Sequence, residues 1–78
     1  MDANQQRETG RRIRLLRDDL GWNQTDLAQR LGVGTSTVSG FERGASSIAR
    51  VASKLAQALG TTTDYLYGLS DNPLPAED

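Results

Sequence analysis

The chain contains no cysteine and no histidine. The first absence removes disulfide staples and thiolate metal sites. The second removes the commonest metal ligand and the commonest general base. Aromatic residues are scarce, at one Trp, one Phe and two Tyr in 78 residues. No apolar run approaches the roughly 20 residues needed to cross a bilayer. The amino-terminal stretch MDANQQRE lacks the apolar centre of a signal peptide. These gaps argue against a metalloenzyme, a thiol enzyme, a membrane protein and an exported protein. They leave a cytoplasmic, non-enzymatic protein with no metal, cofactor or small-molecule ligand as the expectation. A chain of this length makes one small domain, which buries only about 60% of the surface its unfolded form exposes.

A net charge of −1 does not by itself suggest an anionic partner. The distribution does. Residues 1–54 hold nine basic and six acidic side chains, a net of +3, whereas residues 55–78 hold no basic and four acidic ones, a net of −4. Such a split predicts a basic face and an acidic end.

The apolar residues recur at helical spacing throughout, and no stretch alternates as a strand would. A first helix is predicted from Asn4 to Leu20, with Ile13, Leu16 and Leu20 facing inward, Asp2 as its cap and Gly10 as a weak point. Gly21 stops it. Asn23 then caps a second helix, with Asp26 three residues on in a capping-box arrangement. Leu27, Ala28 and Leu31 form its apolar stripe. Gly32-Val33-Gly34 suits a sharp turn whose middle side chain plugs the core. A third helix runs from Thr35 to Arg43, with Val38 and Phe41 inward and Thr35, Ser36, Thr37, Ser39, Gly40 and Arg43 turned out or sideways. Ala45-Ser46-Ser47 is predicted to be a short loop, with Ser47 capping a fourth helix that runs to about Leu59 and has Ile48, Val51, Leu55 and Leu59 on its inner face. A short fifth helix follows from Thr63 to Tyr67, capped by Thr62, with Tyr65 and Leu66 buried. The segment 70–78, with both prolines and three acidic residues, reads as a loose acidic tail to a domain of residues 1–69.

Two short helices joined by a glycine turn make a helix-turn-helix, in which the second helix enters the major groove of double-stranded DNA. The outward face of the third helix fits that role. A merely solvated helix would carry Lys and Glu, which favour helix. Here it carries Thr and Ser, poor helix formers whose small hydroxyls allow close approach to base edges and can bond either base type. Gly32-Val33-Gly34 is not a dinucleotide fingerprint, since Thr37 stands where a third glycine would fall and no strand precedes it.

The run Gln24-Thr25-Asp26-Leu27-Ala28-Gln29-Arg30-Leu31-Gly32-Val33, then Thr37-Val38-Ser39 and Phe41-Glu42-Arg43-Gly44, resembles the phage repressor and Cro family of helix-turn-helix regulators. The resemblance continues through Lys54–Gly60 and Asp64-Tyr65-Leu66, covering roughly residues 10–68. It implies an all-α, five-helix lambda-repressor-like fold. It further implies that Gln24, beside Asn23 at the start of the second helix, anchors to a phosphate and braces the reading helix. Its base-reading positions fall on Thr35, Ser36 and Gly40, flanked by Thr37 and Ser39; Arg43 and Arg50 approach the DNA backbone. Where some members carry glutamines that grip adenine, this chain has hydroxyls and a glycine, which shifts weight to phosphate contacts and DNA shape. An ion pair between Arg17 and Glu42 is also implied. The expected function is a homodimeric repressor of a palindromic operator, associated with the nucleoid when bound. Its rivals are a controller protein of a restriction–modification system, and an antitoxin or bridging module that mainly grips another protein.

Overall fold

The computed structural model describes residues 3–75, and among them the regular structure is five helices and no strand. They are α1 (Ala3–Asp19), α2 (Gln24–Leu31), α3 (Thr35–Glu42), α4 (Ala52–Leu59) and α5 (Thr63–Leu66). The all-α, five-helix expectation holds. Asp2, expected to cap α1, lies outside the described residues.

The local signals behave as their chemistry requires. The Asn23 side chain accepts from the Asp26 amide at 2.8 Å, and the Asp26 carboxylate accepts from the Asn23 amide at 2.9 Å, completing the capping box. Gly32 ends α2 in the left-handed conformation, at φ 71°, where a side chain would be strained. The Thr62 hydroxyl accepts from the Tyr65 amide at 3.1 Å and opens α5.

The core is one cluster, with Ile13, Leu27, Val38, Ile48, Leu55 and Leu66 at its fully buried centre. Val33, in the middle of the turn, packs against it half-buried. Three expectations need correction. The inward face of α1 is Thr9, Gly10, Ile13 and Arg17, with Leu16 half-buried and Leu20 45% exposed. Its buried line is partly polar, because Arg17 finds its partners inside. Helix α4 begins at Ala52, with Val51 and not Ser47 in the cap position. The Ser47 hydroxyl accepts from the Ala49 amide at 3.2 Å, which closes a local turn in place of a helix start. Ile48 still reaches the core from that loop. Tyr65 is only half-buried, its ring lying 5.8 Å from the Arg12 guanidinium, while Leu66 is buried as expected.

Gly10 has a role that its helix position hides. A Cβ built on it would lie 2.5 Å from the Glu42 carbonyl oxygen, and closer still to that of Phe41. Only a glycine lets α1 seat its backbone on the carboxyl end of α3. Lys54 ties another pair of helices, its ammonium donating to the Leu31 carbonyl at 3.0 Å. That contact joins α4 to the otherwise unsatisfied end of α2. The segment after α5 folds back in part, since the Thr61 hydroxyl donates to the Pro73 carbonyl. The acidic residues Glu77 and Asp78 lie outside the described residues.

Candidate nucleic-acid interface

Helix α3 is positioned by one carboxylate. Arg17 Nε donates to Glu42 Oε2 at 2.6 Å and Arg17 Nη2 to Glu42 Oε1 at 2.9 Å, a two-pronged pair. The Gln24 side-chain amide donates to the same Oε1 at 3.2 Å. Arg17 Nη1 donates to the Trp22 carbonyl at 2.7 Å and to the Asp18 carboxylate at 3.1 Å. Three elements are thereby locked: α1 through Arg17, the start of α2 through Gln24, and the end of α3 through Glu42. The two charged side chains are 10% and 5% exposed. Burial pushes the Glu42 carboxyl up. The hydrogen bonds from Arg17 and Gln24, with the charges of Arg17 and Arg14, outweigh that and hold it below the usual carboxylate range. The hydrogen bond to Glu42 raises the Arg17 guanidinium against the opposing effect of burial.

Glu42 is the one acidic residue of α3. Its side chain is covered and paired, so α3 turns no exposed carboxylate outward. What it does present is Thr35, Ser36 and Thr37, all exposed, with Ser39 half-buried. Gly34 precedes them and offers no side-chain cap. The amino end of α3 therefore keeps the positive pole of its dipole directed outward. The Thr35 and Thr25 hydroxyls lie 3.2 Å apart and link the starts of α3 and α2. Thr25 is exposed beside Gln24 and belongs to this surface, although the sequence alone did not single it out. Its signal was slight, a hydroxyl one residue into a capped helix.

The remaining expected residues divide. Asn23 is exposed, with its side-chain oxygen engaged in the cap, and Gln24 is half-buried against Glu42. Arg43 is exposed, its Nε 3.4 Å from the Ser39 hydroxyl, and Arg50 is exposed on the loop before α4. Gly40 departs from expectation. It is buried, and its carbonyl accepts from the amides of Ala45 and Ser46 at 2.9 and 3.3 Å. Those bonds draw the loop after α3 over it. A Cβ at Gly40 would lie 3.0 Å from the Ser46 hydroxyl. Gly40 therefore faces Ser46 and not the outside.

Away from this surface, Arg30 stacks on the Trp22 ring at 4.0 Å, and Arg14 sits 3.9 Å from Asp18 along α1. None of the five helices is long and apolar enough to cross a membrane. No solved structure matches the chain. The helix-turn-helix family profile matches residues 13–66, which spans α2, the glycine turn and α3 together with the helices that hold them. The chain belongs to the helix-turn-helix family of XRE- and Cro-like DNA-binding transcription regulators.

Proposed function

We propose that the protein is a repressor that binds a palindromic DNA site as a homodimer, with α3 of each subunit in the major groove. The observation that carries this reading is the shared carboxylate of Glu42. It fixes α3 and Gln24 relative to each other and leaves the hydroxyl face of α3 open. Thr35, Ser36 and Thr37 read base edges. Ser39 flanks them. Gln24 keeps its second amide hydrogen for a phosphate oxygen, and the amino end of α2 at Asn23 adds its dipole there. Arg43 and Arg50 neutralise phosphates on either side.

Two copies of so short a reading surface, one turn of DNA apart at roughly 34 Å, supply the affinity that one lacks. The dimer surface is assigned to the region of Ala52, Thr63, Tyr67 and Leu69. Leu69 is 75% exposed, and Ala52, Thr63 and Tyr67 are half-buried. The acidic carboxyl-terminal segment then lies away from the phosphates, and the working place is the cytoplasm.

Ser36→Glu tests the docking helix. The residue is exposed in the first turn of α3, where an acidic side chain favours the helix, so the fold is retained. A carboxylate there repels the DNA. Binding to a site selected from random DNA is expected to be lost while the melting temperature is unchanged. A folded variant that still holds the site would exclude α3 as the reader. The selected site is expected to be a palindrome with half-sites about 10 base pairs apart, centre to centre.

A further inference from the structure

The structure assigns a reading residue outside the helix. Position 40 on α3 has no side chain, and the place where one would project is taken by Ser46 from the following loop. Three observations converge. Gly40 is buried although it lies one helical turn beyond the exposed Ser36. The direction of its absent Cβ runs into the Ser46 side chain, with Oγ at 3.0 Å and Cβ at 3.7 Å from that point. The loop is pinned there by two hydrogen bonds onto the Gly40 carbonyl, from Ala45 and Ser46. Ser46 itself is exposed.

A ligand lying along the α3 face therefore meets the Ser46 hydroxyl where it would otherwise meet a residue-40 side chain. A serine hydroxyl both donates and accepts, so it can bond a base edge of either kind. We infer that Ser46 is a specificity-determining residue of the DNA site. It reads the base next to those read by Thr35, Ser36 and Thr37. This rests on α3 being the groove-facing helix.

Selection from random duplex DNA with the wild-type protein, Ser46→Ala and Ser46→Thr tests it, followed by titration of each on the wild-type site and on single-base variants. Ser46→Ala is expected to lose preference at one position of each half-site and keep the rest. Its affinity for the wild-type site should fall about five-fold per hydrogen bond lost. Ser46→Thr retains the hydroxyl and is expected to keep the preference. The melting temperature should not move, because the residue is exposed on a loop. Three results would overturn the inference. One is an identical motif and affinity for Ser46→Ala. Another is a loss equal for every sequence, which would make Ser46 a phosphate ligand. The third is a loss of preference in Ser46→Thr equal to that in Ser46→Ala, which would trace the effect to loop shape. A wild-type protein that selects no motif would instead overturn the DNA-binding reading itself, and this inference with it.

Discussion

Arg17 and Glu42 sit 25 residues apart in sequence and share a bidentate contact in a nearly closed environment. Replacing a buried pair by apolar residues is often harmless; removing one partner is not, because the other charge is stranded. Arg17→Met is therefore expected to destabilise the fold by about 3 kcal/mol at pH 7, as read by denaturant titration. The pH dependence has a definite sign. Glu42 has a folded pKa below its ordinary value. Its contribution to stability is thus present above the unfolded value, roughly pH 4.3, and is lost as pH falls through the folded one. In Arg17→Met the unpaired carboxyl is penalised by burial until it protonates. As pH falls, the difference between wild type and variant should therefore begin to narrow above about pH 4.3, where the variant's Glu42 takes up its proton, and go on narrowing until the wild-type carboxyl protonates as well. A gap that stays constant down to acid unfolding would show that the carboxylate is not what the arginine serves. The raised Arg17 contributes its full share throughout this window and loses it only as pH rises through its folded pKa, far above.

At the level of elements, the seat between α1 and α3 makes an unusual demand. Glycine inside a helix costs up to ~1 kcal/mol relative to alanine, so propensity alone predicts that Gly10→Ala stabilises. The carbonyl oxygens of Phe41 and Glu42 predict the opposite, since an added methyl collides with the backbone and the helices must part. Overpacking of this kind costs typically 1–3 kcal/mol. A net loss of about 1 kcal/mol or more is expected, a fall in melting temperature of several degrees for a chain of this size. A rise would mean that α1 shifts freely on α3. The same position shows what a sequence can and cannot disclose. The capping box at Asn23–Asp26, the Gly32 stop and the Thr62 cap were legible because each is completed within a few residues. The inward line of α1 was not, since Gly10 and Arg17 look unsuitable until α3 is set against them. Ser47 and Ile48 read as a helix start. In the fold the loop instead serves α3, bonding to the carbonyl of Gly40 and bringing Ser46 over it. That contact also explains why Gly40 faces inward where helical spacing turns it outward: spacing gives a direction but not what arrives from elsewhere.

Taken whole, the molecule separates charge along its length, +3 before residue 55 and −4 after it. If Arg43 and Arg50 of both subunits neutralise phosphates, affinity should fall roughly 100-fold between 50 and 200 mM salt. Arg50→Ala should flatten the slope of log K against log salt by about 2 in the dimer. Fluorescence anisotropy on a labelled site measures both, and an unchanged slope would remove Arg50 from the interface. The lock formed by Arg17, Glu42 and Gln24 also divides the surface by how freely it can change over generations. Gln24 shares its partner oxygen with the ion pair that holds the helices together, so if it also meets a phosphate, a substitution there disturbs fold and docking at once. Ser36, Thr37 and Ser46 stand exposed on a frame already fixed from behind. On the proposed reading, descendants of this chain could acquire new operators by altering a handful of small hydroxyl residues, while the means of docking passes down unaltered.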